Sequence, residues 1–73
     1  MDLRQIEYII AIEQEESISK AAEKLFITQS ALNQQLLKLE KELGMPLFER
    51  KKRQMIPTVA VRIYLATAHQ MID

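Results

Sequence analysis

SISKAAEKLFITQSALNQQLLKLEKELG, residues 17–44, carries the strongest structural signal in this chain. Its first half repeats apolar residues at i, i+3, i+4 and i+7, the spacing of one helical stripe. These residues are Ile18, Ala21, Ala22 and Leu25. Its second half repeats leucine at steps of four, three and four residues, at Leu32, Leu36, Leu39 and Leu43. Two short amphipathic helices joined by a tight turn are typical of the helix-turn-helix, whose second helix reads the major groove of DNA.

We place the helix-turn-helix at about residues 18–37. Polar residues mark the ends of its two helices. Ser19 is positioned to cap the first helix, and Thr28 is positioned to cap the second. Gly44 supplies a left-handed stop, and Pro46 prevents the second helix from continuing. Three residues at the start of the first of these helices can also contact phosphate, namely Ser17, Ser19 and Lys20. For Ser19, capping is the alternative role.

The flank of the second helix opposite its leucines is suited to nucleic acid. It carries Ser30, Asn33, Gln34, Leu37, Lys38 and Lys41. Amides and hydroxyls exchange hydrogen bonds with base edges, and lysines reach phosphates. We predict base contacts from Gln29, Ser30, Asn33 and Gln34, and phosphate contacts from Thr28, the first-turn N–H groups and Lys38. The alternative is an ordinary solvated helix surface.

Residues 47–57 read as two short extended pieces around the basic run Arg50-Lys51-Lys52-Arg53. We predict a β-hairpin whose basic tip contacts the DNA backbone or minor groove. Side chains alternate between the two faces of a strand, so two orientations are open for Arg50. Its side chain either faces DNA or turns inward to pair with a carboxylate such as Glu40. Leu37 fits either a thymine methyl or packing against this hairpin.

Two further helices are predicted at the ends of the chain. Asp2 and Gln5 form a capping-box-like start for a helix at the N-terminus, before the helix-turn-helix. Its apolar residues are Leu3, Ile6, Ile9, Ile10 and Ile12. Thr58 can cap a last helix over residues 59–73, which is apolar on two sides and has no stop signal, so we expect it to continue. We predict that this helix packs both on its own domain and on a second subunit, and that the subunit interface contains Val61, Tyr64, Leu65, Ala68, Met71 and Ile72.

Length and composition point to one small domain. The chain has 73 residues and no cysteine, so neither a disulfide nor a thiolate metal site supports its core. The net charge is zero, but residues 1–16 carry five acidic residues against one arginine, whereas residues 17–73 carry nine basic residues against five acidic ones. A segregated basic end is compatible with a DNA-facing side. We expect a cytoplasmic protein with no membrane contact.

Other functional classes find little support in the sequence. His69 stands alone without cysteine, and the single glycine excludes a Gly-rich phosphate loop, so we expect no metal and no cofactor. An enzyme would need a nucleophile–base pair that we do not find. The competing hypothesis is a module for protein–protein association that uses the terminal helix as its binding surface.

The chain resembles the N-terminal DNA-binding domain of LysR-type transcriptional regulators over nearly its whole length. The matching residues are MDLRQI at 1–6, SISKAAEKL at 17–25, TQSAL at 28–32, LEKELGMPLFER at 39–50, Arg53 and Pro57-Thr58. The resemblance implies a mainly α winged helix-turn-helix: three helices and a hairpin wing over residues 1–58, then a long dimerising linker helix from residue 59. It further implies double-stranded DNA as partner, a homodimer or a full-length tetramer, and a small-molecule effector bound by a C-terminal domain that is missing here.

Four positions depart from the pattern of the family that this chain resembles. Ser30 stands where proline is usual, Asn33 where serine is common, and Leu37 where a basic residue is usual. Val61 replaces a common glycine near the start of the linker helix. These differences affect base preference and linker geometry more than fold.

Overall fold

The computed structural model describes residues 3–52 and 54–72, with side chains over 3–52 and 54–67. In chain order, the elements are α1 (Leu3–Glu15), α2 (Ile18–Leu25), α3 (Gln29–Leu43), β1 (Phe48–Lys51), β2 (Gln54–Pro57) and α4 (Val59–Ile72). The predicted order of three helices, a hairpin and a further helix is confirmed. The first three helices pack on one another, and α1 also contacts β2 and α4.

One hydrophobic core joins all of these elements. Its largest fully buried side chains are Ile6, Ile9, Ile12, Leu32, Leu36, Leu47 and Val61. Ala21 and Ala22 are also buried, and their small size allows α2 to lie close to its neighbours. Leu3 and Leu43, which the apolar stripes place in the core, are exposed because each lies at an end of its helix.

The observed cap of α2 differs from the predicted one. Ser17, not Ser19, is the N-cap, and its hydroxyl oxygen accepts a hydrogen bond of 3.2 Å from the backbone N–H of Lys20. The reason is that Ile18 already belongs to the helix, so Ser19 lies inside the first turn. The predicted cap of α3 is confirmed, since Thr28 Oγ1 accepts from the N–H of Ala31 at 3.0 Å.

Left-handed residues end three of the segments. Glu16 (φ 54°) follows α1, Phe26 (φ 59°) ends α2, and Gly44 (φ 75°) ends α3 as predicted. The Phe26 N–H donates to the carbonyls of Ala22 and Glu23, which closes the last turn of α2 and starts the tight turn into α3. Asp2, the predicted cap of α1, lies outside the described residues.

The hairpin is antiparallel, with Phe48 opposite Pro57 and Lys51 opposite Gln54. This register leaves a two-residue connection, in which Lys52 adopts φ 56° as hairpin turns of this length require. The predicted wing is therefore present. Arg53 lies outside the described residues.

Several hydrogen bonds fix the hairpin to the helices. The Glu40 carboxylate on α3 accepts from the backbone N–H groups of Leu47 (2.6 Å) and Phe48 (3.3 Å) at the start of the hairpin. The Met55 N–H donates to the Glu16 carbonyl at 3.0 Å. The Thr58 hydroxyl, directly before α4, donates to the carbonyls of Pro46 (2.9 Å) and Leu47 (3.1 Å), so it ties the start of α4 to the segment that leads into the hairpin.

The first turns of α4 are part of the domain core. Val61, Tyr64 and Leu65 are only 0, 6 and 7% exposed, because α4 packs against α1 and β2 through this face. These residues were expected at a dimer interface, yet their surface is already covered within the chain. Among the α4 side chains that the structure describes, the large apolar ones facing outward are Val59 and Ile63, which are 72 and 65% exposed. The side chains of Ala68, Met71 and Ile72, also predicted for that interface, lie outside the described residues.

Candidate nucleic-acid interface

The outer flank of α3 is free of the domain core. Leu32, Leu36 and Leu39 face inward, which leaves the opposite side of the helix at the surface. Four of the predicted DNA-contacting side chains on α3 are exposed and one, Asn33, is half-buried; the exposed ones are Gln29, Ser30, Gln34 and Lys38. The helix therefore offers amide, hydroxyl and ammonium groups along one accessible side.

The start of α3 is tied to the start of α2. The Gln29 side chain donates through Nε2 to Ser19 Oγ at 3.2 Å. Thr28 caps the helix, which leaves other first-turn N–H groups directed away from the helix body. Ser19, predicted as a cap or a phosphate ligand, is therefore observed as a hydrogen-bond partner for a predicted base-contacting residue.

The hairpin lies beside the same flank of α3. Arg50 and Met55 are paired across the hairpin, and their side chains share the face that carries the buried Phe48. From this face the Arg50 guanidinium donates to Asn33 Oδ1 on α3. The inward pairing of Arg50 with Glu40, left open by the sequence, does not form, since the Glu40 carboxylate accepts from the backbone at the hairpin start. The hairpin therefore joins the front half of α3 at a single polar contact.

The described cations near this surface are accessible. Lys51 and Lys52 are exposed at the hairpin tip, and Lys20 is exposed at the start of α2. The Lys51 ammonium lies 3.5 Å from the Glu49 carboxylate, and such an exposed pair contributes little stability. Lys24 is different, because its ammonium lies on the α1 side and donates to Gln14 at 2.7 Å.

A shallow surface depression connects the hairpin with α2. It is lined by Ser17, Ile18, Ser19, Arg50, Lys52, Gln54 and Met55. The depression brings two predicted phosphate ligands from α2 next to two predicted wing cations. The predicted DNA-contacting residues that the structure describes therefore lie on the start of α2, the flank of α3 and the hairpin, which are adjacent.

Two features of this region were not found from the sequence. Glu16 accepts from Met55 N–H and, through its carboxylate, from Gln54 Nε2 at 3.2 Å, so it anchors β2 to the α1–α2 junction. Phe26 is 94% exposed in the turn of the helix-turn-helix. No local sequence signal identifies the Glu16 contact, because it depends on the register of a hairpin 38 residues away.

The part of the chain that the structure describes contains neither a cluster of metal ligands nor a membrane-spanning helix. Within residues 3–52 and 54–72, no group of three or more His, Cys, Asp or Glu side chains is placed to bind a metal ion. Among the helices described, none has the length and apolar character needed to span a bilayer.

A helix-turn-helix with one flank of its second helix exposed, followed by a hairpin beside that flank, defines the winged helix-turn-helix class of DNA-binding domains. The family model described as "Bacterial regulatory helix-turn-helix protein, lysR family" matches residues 3–62. The chain therefore belongs to the LysR family of bacterial regulators and comprises its winged helix-turn-helix DNA-binding domain.

Known proteins resemble this chain in both sequence and structure. The HTH-type transcriptional regulator BsdA of Bacillus subtilis (strain 168) is 45% identical over 73 residues, which are 99% of this chain and 25% of that protein. The BenM DNA-binding domain in complex with benA site 1 DNA has a TM-score of 0.89 and 38% identity, covering 99% of this chain and 81% of that one. The CbnR DNA-binding domain in its DNA complex has a TM-score of 0.90 and 32% identity, covering 99% and 83%. The chain thus spans a quarter of the length of BsdA.

Proposed function

We propose that this chain binds specific double-stranded DNA sequences by inserting the front half of α3 into the major groove. The observation that carries the proposal is the contact between the hairpin and the exposed flank of α3, since the residues predicted to read bases and to bind phosphates lie on either side of it. The similar BenM and CbnR domains were solved in complexes with DNA, which supports the same role here.

Each predicted contact residue has a role in this proposal. Gln29, Ser30, Asn33 and Gln34 read base edges, because amides and hydroxyls exchange hydrogen bonds there. The remaining contacts are to phosphates or the minor groove, and they come from Ser17, Ser19, Lys20, Thr28, Lys38, Arg50, Lys51, Lys52 and Arg53.

The experiment that tests sequence reading is selection of DNA by the chain from a random pool, followed by relative affinities for single-base variants of the selected site. We expect Gln34→Ala to relax discrimination at one base pair by on the order of ten-fold, because a good amide–base pair contributes about 1–3 kcal/mol. Gln14→Ala is the matched control, since Gln14 is an exposed glutamine on α1 away from the α3 flank. Equal discrimination by the Gln34 variant and the unaltered chain would contradict the assigned role.

The chain is further proposed to act as a homodimer, with α4 at the subunit interface. Support comes from an apolar groove beside α4, lined by Leu43, Met45, Leu47, Ala60, Ile63 and Tyr64. Leu43, Met45 and Ile63 remain exposed around it. Covering this groove with a second copy would remove Ile63 of α4, together with Leu43 and Met45, from water.

The activity of the whole protein is proposed by extension from its family. The full regulator would act in the bacterial cytoplasm, on the nucleoid, as a dimer or tetramer, and would not be an enzyme. A small-molecule effector would bind outside these 73 residues, since the relative BsdA is about four times longer.

A further inference from the structure

We propose that Arg50 orients the Asn33 side chain, so that Asn33 reads guanine as a hydrogen-bond donor. This inference rests on the proposed insertion of α3 into the major groove. It concerns a contact between the wing and the recognition helix, at a position where this chain has asparagine.

The chemistry of the two side chains fixes the direction of the Asn33 amide. A guanidinium group carries five N–H donors and no acceptor, so it can contact only the oxygen of an amide. The Arg50 guanidinium donates to Asn33 Oδ1. The Asn33 NH2 group is therefore not the group that faces Arg50, since the oxygen and the nitrogen diverge from the amide carbon at a wide angle.

The position of the pair makes this orientation relevant to DNA. Asn33 lies one residue after the buried Leu32 and one before the exposed Gln34, so it occupies the edge of the exposed flank. Its half-buried side chain accepts from Arg50 through Oδ1, so the polar group that remains for a base at this edge is the NH2 group. The group that Asn33 presents there is the NH2 donor.

A donor selects among the bases. An asparagine free to rotate pairs with adenine through both its oxygen and its NH2 group. With Oδ1 held by Arg50, the favoured partner is a base whose major-groove edge offers acceptors. Guanine offers two acceptors, N7 and O6, whereas adenine offers one acceptor beside a donor.

The side-chain amide of Gln29, another residue proposed to read bases, is held through its nitrogen instead of its oxygen, and by α2 instead of the hairpin. Gln29 donates through Nε2 to Ser19 on α2, which leaves Oε1 free as an acceptor. Ser19→Ala therefore serves as an internal control, since it releases an amide on α3 without altering the hairpin. Any change in base preference that Ser19→Ala causes should fall at a different position of the DNA site from the change caused by substituting Arg50.

The test is a double-mutant cycle on base preference with the 73-residue chain. Arg50→Met keeps the aliphatic stem and removes the donors, and Asn33→Ala removes the amide. At one position of the selected site, we expect Asn33→Ala to reduce the preference for guanine over adenine by about ten-fold. Arg50→Met should shift that same position toward adenine, because the amide is then free to rotate, and it should have no such effect when Asn33 is already alanine.

The outcomes separate this inference from the proposed function. A uniform loss of affinity for all sequences on Arg50→Met, with the guanine preference unchanged, would overturn the inference and leave the proposed function intact. A chain that selects no sequence at all would overturn both. A second measurement needs no DNA: the side-chain NH2 resonances of Asn33 should shift on Arg50→Met, and unchanged resonances in a folded variant would also overturn the inference.

Discussion

Gly44 and Phe26 occupy equivalent positions at the ends of α3 and α2, and both adopt a left-handed backbone conformation. Glycine reaches this conformation without steric cost, whereas a side chain bearing Cβ is strained there. Gly44 has open space around the position of a Cβ atom, so any effect of a side chain comes from the backbone alone. Phe26 takes the same conformation without that advantage, because the tight turn into α3 requires it.

Gly44→Ala should therefore destabilise the chain by about 1 kcal/mol, the cost of a left-handed non-glycine residue. Urea denaturation measures the change in free energy of unfolding. Lys41→Ala in the last turn of α3 is the control, and we expect it to have little effect because Lys41 is exposed. An unchanged unfolding midpoint for Gly44→Ala would contradict the left-handed assignment.

At the scale of elements, the Glu40 carboxylate determines where the hairpin sits on α3. It accepts hydrogen bonds from two backbone N–H groups, those of Leu47 and Phe48, both of which are buried residues. A charged acceptor of this kind is costly to remove, since both donors would lose their partner away from bulk water.

We expect Glu40→Ala to lower the free energy of unfolding by about 1–3 kcal/mol. Amide hydrogen exchange should accelerate at Leu47 and Phe48 in the same variant. Glu42→Ala removes an exposed carboxylate from the same helix and controls for the helix dipole. Equal stability of the two variants would show that the anchoring contact does not matter.

The hairpin tip gives a second prediction at this scale. Double substitution of Lys51 and Lys52 by alanine should flatten the dependence of log affinity on log salt by nearly two units, because each lost phosphate contact removes about 0.9. Lys24→Ala should leave the slope unchanged, since Lys24 contacts Gln14 on the α1 side. Identical slopes for all three proteins would refute the wing as a phosphate-binding element.

The elements were predictable from the sequence, whereas several contacts between them were not. Leucine spacing, Thr28 and Gly44 are local signals, and they correctly predicted α3 and its ends. The Arg50–Asn33 contact joins residues 17 positions apart and depends on both hairpin register and hairpin placement. Strand alternation indicated that Arg50 could turn inward, but only the observed Glu40 contacts explain why Glu40 is not its partner.

In the molecule as a whole, α4 has two apolar faces, one buried in the core and one exposed. The face with Val61, Tyr64 and Leu65 completes the core of the chain, while Val59 and Ile63 remain outside. The apolar residues on two sides of this segment correctly predicted a helix. They could not distinguish the core face from the outer face, because both are apolar.

Ile63→Glu should therefore weaken self-association, since a charge would be placed in the proposed dimer interface. Sedimentation equilibrium over a range of concentrations should show a shift toward monomer by ten-fold or more in the dissociation constant, equivalent to about 1.4 kcal/mol. Leu37→Glu is the matched control, because Leu37 is 52% exposed on α3 and lies outside the groove. The same dissociation constant for both variants would place the interface elsewhere.

Directed cleavage of DNA measures whether the outer flank of α3 lies against base pairs. The chain has no cysteine, so Ser30→Cys provides a single site for an iron-chelate cleavage reagent. With the selected DNA bound, we predict localised strand cleavage inside the site from position 30. The same reagent at Glu7→Cys, on the exposed side of α1, should give none. If bound DNA were cleaved from position 7 and not from position 30, the outer flank of α3 would not face the base pairs.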